Sequence, residues 1–455
     1  MADQKLFAGH AVRRLRRGTG LTQAAMAEAL AISPSYLNLV ERNQRPLTAT
    51  VLLRMAEVFD FDPRSLSASE PGGGAEALRR RLADPIFADL EIDRHQMEEW
   101  LAGAPGGAEA FARAYDRMGG GAAEGGGSDA AGQVRQAIER WRNHFADLDA
   151  AAEALADELR MSGDLYGAVT ERLRIKRQLS VRILPADVLG GTLKRLDMHA
   201  RQLQLSEMLD ASARSFAVAE QLAWEVRDQI DALVRGAGLD RLGERLFRRH
   251  LTGYFAAAVM MPYARFLRAC EATGYDLDIL QRRFGASFSQ VAHRLTTLQR
   301  VGARGLPFFM LRVDRAGQVS KRYSGASGSP LAEAPGICPL WDVFAAFARA
   351  DVTVPDLVET EDGGRWFTLA RCVTPQGAGP VQARFAVALG LEAGDARTLA
   401  AARGLDLAGR ATPIGLGCRA CTRVDCPQRS APPAGRALIV GERESGVTPL
   451  GFAGD

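Results

Sequence analysis

Three cysteines fall within nine positions near the end of the chain, in the pattern Cys418-x2-Cys421-x4-Cys426-Pro427. Three thiols so close on a Gly/Pro-rich loop can converge on one ion, whereas packing alone has no use for that spacing. A fourth ligand must come from elsewhere. Cys338, in Gly336-Ile337-Cys338-Pro339, sits in a similar Gly/Pro-flanked loop and is the expected partner. Cys270 and Cys372 read as packing residues, the second inside an apparent strand Trp366 to Val373. Four thiolates suit structural zinc or an iron–sulfur cluster, and the spacing leaves both open.

A second group with chemical potential is basic. Arg294 lies on an amphipathic segment from Phe288 to Arg300, and Lys321 and Arg322 on a short segment that returns after the turn Asp314-Arg315-Ala316-Gly317. Such a cluster beside an apolar cleft would suit a phosphorylated ligand with an apolar tail. The alternative is a solvated basic face with His293 in the core.

The third group is a polar face on a short helix, Ser33 to Asn43. Ser33 caps its start, Pro34 fits the first position and Asn43 tolerates the ending conformation. Leu37 and Val40 face inward, leaving Ser35, Tyr36, Asn38 and Arg42 for base edges and phosphates in a major groove.

The elements that must position these groups can be outlined. Around the capped helix, Phe7 to Arg17, a Thr22-capped segment with Met26, Ala27 and Leu30 inward, and Thr48 to Phe59 with Val51, Leu52, Met55 and Val58 inward are expected to be helices. Residues 1–60 hold eight Lys/Arg against five Asp/Glu, an excess equal to the whole chain's net +3. That fits a few phosphate contacts rather than a coating of positive charge. Two short helices joined by a tight turn make a helix-turn-helix. Residues 1–70 are expected to form this domain, 75–118 a helical connector, 119–132 a Gly-rich linker, 133–330 a mixed α+β domain and 331–455 an α+β domain carrying the cysteines. The fold class is mainly α with α+β. In the middle, Ser180–Leu184 and Arg201–Ser206 read as strands, and 208–234 and 242–261 as long helices. The N-terminus lacks a signal-peptide core, and the longest strongly apolar run, 254–263, is too short to span a bilayer. A cytoplasmic protein with no membrane partner is expected.

Three resemblances extend this reading. Leu21-Thr22-Gln23 followed by Ser33-Pro34-Ser35-Tyr36-Leu37-Asn38-Leu39-Val40-Glu41-Arg42-Asn43-Gln44-Arg45-Pro46 resembles the phage-repressor type of helix-turn-helix. That resemblance implies a DNA-binding set of Gln23, Ser33, Ser35, Tyr36 and Asn38, with Arg42 and Arg45 on phosphates. It also implies a dimer on a pseudo-palindromic double-stranded operator.

The strand 202–207, the helix containing Phe216-Ala217-Val218-Ala219 and the run Tyr254 to Pro262 resemble the ImmA/IrrE metallopeptidase fold. Active members carry H-E-x-x-H there, which binds zinc. This chain has Ala219-Glu220-Gln221-Leu222-Ala223, and Arg249-His250-Leu251-Thr252 where an acidic third ligand is expected. No catalytic residues are therefore assigned, and a repressor-cleaving peptidase is the disfavoured alternative.

All motifs together, in this order, resemble the short-chain fatty acyl-CoA regulators, of the propionyl-CoA-responsive type. The resemblance implies a transcription factor, not an enzyme, with an acyl-CoA effector such as propionyl-CoA or acetyl-CoA. It further implies a [4Fe-4S] cluster on Cys338, Cys418, Cys421 and Cys426, with zinc as the alternative. Arg294, Lys321 and Arg322 become candidates for the CoA phosphates. A redox regulator with the cluster as its main input is the competing reading.

Overall fold

The computed structural model describes residues 9–42, 44–59, 74–82, 90, 92–119, 130–159, 164–325, 329–375, 382–441, 443, 448 and 450–452. The chain divides into two compact units, 1–125 with 434–437, and 126–433 with 438–455. The expectations for Phe7 and Asn43, and most of the Gly-rich linker, lie outside the described residues.

In the first unit, α1 (Gly9–Gly18), α2 (Gln23–Ala29), α3 (Pro34–Glu41) and α4 (Ala49–Phe59) enclose Val12, Met26, Leu30, Leu37, Val40, Val51 and Met55. The caps act where the sequence places them. Thr22 accepts from the Ala25 amide, and Ser33 accepts from the Tyr36 amide with Pro34 at the helix start. Val58, expected to be buried, is 49% exposed: it shares the Val51/Met55 face but lies in the last turn of α4. Helices α5 (Gly74–Leu82), α6 (Arg94–Gly103) and α7 (Pro105–Gly119) follow, packed around Leu78, Ala108 and Ala112.

The second unit opens with α8 (Ala130–Arg140), α9 (Ala146–Leu159) and α10 (Leu165–Arg177). A three-stranded sheet follows, β1 (Ser180–Leu184), β2 (Lys194–Asp197) and β3 (Gln202–Ser206), in the order β1-β3-β2, with β1 parallel to β3. The long helix expected over 208–234 is divided. An α-helix α11 (Ala211–Ala219) gives way to a 3₁₀ turn at Glu220–Val226, and α12 (Arg227–Ala237) resumes. Next come α13 (Arg241–Met260), α14 (Tyr263–Thr273), α15 (Leu277–Phe284) and α16 (Phe288–Thr296).

The larger sheet comprises β4 (Phe309–Val313), β5 (Val319–Ser324), β6 (Val354–Glu359), β7 (Arg365–Val373), β8 (Phe385–Glu392) and β9 (Thr412–Pro413), in the order β5-β4-β8-β7-β6-β9. The short helix α17 (Pro330–Glu333) precedes β6, and a small pair, β10 (Leu438–Ile439) and β11 (Gly451–Phe452), ends the unit. Both faces of the larger sheet are covered. Met310, Phe367, Leu369, Val387 and Leu389 pack with α14–α16, while the alternating Phe309, Leu311, Trp366, Ala370 and Ala388 pack with Trp341 and Phe347. Gly390 is needed on β8 because a Cβ there would stand 2.6 Å from the Phe309 ring. Strands β4 and β5 pair into this sheet, so the sheet crosses the boundary expected at 330.

Candidate functional site

The helix-turn-helix is organised around Glu41, which is not among the candidate residues of the sequence. Glu41 is 4% exposed and accepts from two of the three Arg16 nitrogens, Nε on Oε1 at 2.6 Å and Nη2 on Oε2 at 3.1 Å. Arg13 donates to the Glu41 carbonyl at 2.9 Å, and Gln23 Nε2 donates to Glu41 Oε2 at 2.8 Å. Burial alone would raise the Glu41 carboxyl, but the hydrogen bonds from Arg16 and Gln23 outweigh it and hold it below the usual range. Its signal was present in sequence, since Glu41 continues the Leu37/Val40 stripe at the i+4 position, opposite an arginine-rich helix.

This network ties up part of the positive charge of the helix-turn-helix. Arg13 and Arg16 serve Glu41, and Arg54 donates to the Leu30 and Ala31 carbonyls, bracing the turn between α2 and α3. Ser35, Arg42 and Arg45 are exposed, as expected, and so is the cap Ser33. Tyr36 and Asn38 are half-buried, the Tyr36 hydroxyl donating to the Pro46 carbonyl at 3.3 Å. Gln23 is half-buried because its amide turns inward to Glu41.

The peptidase position is disabled twice over. Ala219 is fully buried, Ala223 is 9% exposed, and neither side chain can bind a metal. The backbone has changed as well. Ala219 ends α11, and Ala223 lies in the 3₁₀ turn. Four residues span about 40° beyond a full turn in an α-helix but about 120° in a 3₁₀ helix, so the two positions no longer share a face. Glu220 is ion-paired with Lys194. A groove of about 730 Å³ runs past Lys194, Glu220, Ala223, Trp224 and Thr252.

The basic cluster expected from sequence does not assemble. Arg294 is 1% exposed, with Nη2 2.6 Å from Asp149 Oδ1, Nε on the Met261 carbonyl and Nη1 on Thr297 Oγ1. Buried among these partners, Arg294 is closed to a phosphate, so it is corrected from ligand contact to core ion pair. Lys321 and Arg322 are successive residues on β5 and project to opposite faces. Lys321 is exposed, whereas Arg322 Nη1 holds the Ala332 and Ala334 carbonyls. They do not form one site with Arg294.

His293 lies beside His250 and Tyr323, with ring centroids 5.7 and 4.2 Å away. The Nε2 atoms of both histidines are buried without a hydrogen-bond partner. Burial, then the Lys321 charge, pushes His250 down to about 3; burial with the neighbouring charges of His250, Lys321 and Arg294 pushes His293 well below its usual value. Burial thus favours the neutral form of both rings.

The cysteine loops meet backbone to backbone. Gly417 has φ +97°, and a Cβ there would stand 3.0 Å from Gly336 Cα. Cys338, Cys421 and Cys426 are buried and Cys418 is half-buried. Cys338 lies within electrostatic reach of Cys426 and Cys418 and receives backbone N–H bonds from Gly415 and Leu340. The Ser430 amide donates to Cys418 Sγ at 3.5 Å, and the Arg423 amide to Cys421. Arg429, 3% exposed, bonds the carbonyls of Cys418, Cys421 and Arg423 and keeps Nε without a partner. Burial pushes the Cys338 and Cys421 thiols up, and Glu361 adds to the rise at Cys421. The N–H donors act the other way at both, and Arg429 does so at Cys421, so the donor set suits thiolates once an ion is bound. Among the described residues, no three Cys, His, Asp or Glu side chains are drawn to metal-binding spacing. Cys270 and Cys372 are buried in the core clusters. No helix among the described residues is long and apolar enough to cross a membrane.

Family models match three successive regions: a helix-turn-helix domain at 8–68, an IrrE N-terminal-like domain at 176–296, and the C-terminal part of a short-chain fatty acyl coenzyme A regulator at 297–450. The chain is 38% identical to the HTH-type transcriptional regulator RamB of Mycobacterium tuberculosis, over 98% of both chains. It is also 38% identical to the propionyl-CoA carboxylase regulator of Cereibacter sphaeroides, over 98% of both, and 34% identical to the HTH-type transcriptional regulator PrpR of M. tuberculosis, over 98% of this chain and 96% of that one. A solved M. tuberculosis transcriptional regulator superposes with a TM-score of 0.67 at 34% identity, covering 70% of this chain and 99% of that one. The protein is a DNA-binding transcriptional regulator and not an enzyme. It belongs to the short-chain fatty acyl coenzyme A regulator family.

Proposed function

We propose that this regulator couples its DNA affinity to a short-chain acyl-CoA of the propionyl-CoA or acetyl-CoA type. It would act as a cytoplasmic homodimer on a pseudo-palindromic operator. The observation that carries this reading is a peptidase-like fold whose ligand positions hold buried alanines, joined in one chain to a helix-turn-helix. Such a fold retains a shaped interior but has no catalytic duty, which suits ligand sensing. Arg294 is not part of the proposed effector contact. Direct calorimetry of the full chain with propionyl-CoA, against free CoA and propionate, tests the reading. Saturable binding of the thioester, tighter than either fragment, is expected; equal or absent binding of all three would refute it.

Cys338, Cys418, Cys421 and Cys426 would hold a [4Fe-4S] cluster, or zinc in its place. When bound, the cluster would supply a one-electron redox centre. The chain's own part would be to deliver N–H donors to the sulfurs and to set the Arg429 charge against the anionic thiolates. That arrangement supports the second reading, in which the redox state of the centre is itself an input to DNA binding.

A further inference from the structure

Gln23 and Asn38 stand side by side on the head, with Gln23 Nε2 3.4 Å from Asn38 Oδ1. An amide side chain ordinarily offers both a donor and an acceptor and can turn either outward. Here the choice is made from below. The Glu41 carboxylate accepts from Gln23 at 2.8 Å, and a carboxylate held ionised by Arg16 has no proton to give. If the Gln23 oxygen faced it, two acceptors would meet at that distance. Chemistry alone therefore fixes the amide.

The consequence passes one residue further. Gln23 Nε2 only donates, so Asn38 must turn Oδ1 toward it. The Gln23 carbonyl oxygen and the Asn38 NH₂ group remain without a protein partner and reach solvent. We propose that Gln23 and Asn38 present opposite hydrogen-bond polarities to DNA, Gln23 as an acceptor and Asn38 as a donor. This rests on the reading that α2 and α3 face the major groove. Gln23 then cannot make the bidentate adenine contact open to a free glutamine, nor bind a phosphate oxygen. Its match is an exocyclic base amine, N6 of adenine or N4 of cytosine. Asn38 matches an acceptor, such as N7 or O6 of guanine. Glu41 is the positioning residue for both.

The test uses the full-length protein and an operator duplex that it selects from a randomised pool. Bases are edited singly, with purine for adenine or 2-pyrimidinone for cytosine to delete the amine, and 7-deazapurines to delete N7. Removing one amine per half-site should weaken wild-type binding about 3- to 10-fold, and the same edit should have no further effect in Gln23→Ala. Loss of an acceptor should couple to Asn38→Ala in the same way. In Glu41→Gln, shown to be folded by its circular dichroism melt, discrimination at the Gln23 base should relax. Coupling of Gln23→Ala to a 7-deazapurine, to a methylphosphonate or to no edit would overturn the assignment. If Arg42→Ala and Arg45→Ala weaken binding in that case, the polarity alone is wrong. If none of the four alanine variants changes affinity, the facing surface itself is wrong.

Discussion

The Asp149 carboxylate lies 2.6 Å from the Arg294 guanidinium, and the two side chains are 0% and 1% exposed. One residue sits on α9 and the other on α16, 145 positions later. Tyr254 donates to the second carboxylate oxygen at 2.6 Å, and His144 Nδ1 stands 3.2 Å from it. The pair joins two apolar clusters of the second unit, and neither group could be buried there without the other.

Breaking that pair leaves a buried charge uncompensated. Arg294→Met or Asp149→Ala should cost about 3–5 kcal/mol of stability, read from urea unfolding of the full chain. A double variant Asp149→Leu/Arg294→Met should recover a substantial part of the loss. Equal loss in single and double variants would show that packing, not charge, is responsible.

The same residues set an acid limit. Burial alone would raise Asp149, but the Arg294 charge and the bonds from His144, Arg294 and Tyr254 bring it from 3.8 to about 2. A depressed carboxyl stabilises the fold above its unfolded value, and that contribution, about 2 kcal/mol, is lost as pH falls from about 4 to 2. The buried histidines act earlier. His250 falls from 6.5 to about 3, so the unfolded chain gains a proton that the folded chain refuses once pH drops below about 6.5. Stability should decline from that point. His250→Leu should flatten the upper part of the decline, since replacing an unpartnered buried nitrogen by an apolar group leaves no unmet bond. An unchanged profile in this variant would count against a neutral buried His250.

Much of the first unit was legible, because its signals are local. Ser33, Pro34 and Thr22 cap helices within their own turn, and the Leu37/Val40 stripe needs no knowledge of the partner. The pairing of Arg294 is not legible in sequence because its partner is 145 positions away, and a lone arginine on a helix looks the same whether paired or free. Lys321 and Arg322 were grouped by adjacency, which on a strand separates rather than joins. The helical break at Glu220 has no proline or glycine to announce it. Spacing and Gly/Pro context located the cysteine loops, while the Arg429 brace depends on carbonyls that no residue pattern displays.

Restoring the missing histidines should not restore a metal site. Ala219→His/Ala223→His should take up no zinc by equilibrium dialysis, because the 3₁₀ turn separates the two positions around the helix axis. Stoichiometric, tight zinc binding would show that the segment can return to a regular α-helix.

On the head, Arg42→Ala and Arg45→Ala should weaken operator binding across sequences and each lower the slope of log affinity against log salt by about 1. Arg16→Ala should behave differently, lowering thermal stability through Glu41. A salt slope unchanged in both exposed variants would remove these residues from the phosphate contacts.

For the thiols, anaerobic purification should yield a brown protein, with the colour lost in Cys418→Ala, Cys421→Ala, Cys426→Ala and Cys338→Ala and kept in Cys372→Ala. A colourless protein with zinc lost in the same four variants would assign zinc to the same ligands. Retention of metal in all four would place the centre elsewhere.

The coupling between effector and operator is the claim on which the account turns. It is measured most directly by operator affinity of the full-length protein, by fluorescence anisotropy at fixed salt, with and without saturating propionyl-CoA. A coupling of usual size would shift the dissociation constant by roughly 5- to 150-fold in either direction. Unchanged affinity with propionyl-CoA and acetyl-CoA, in a preparation that binds the operator, would contradict it.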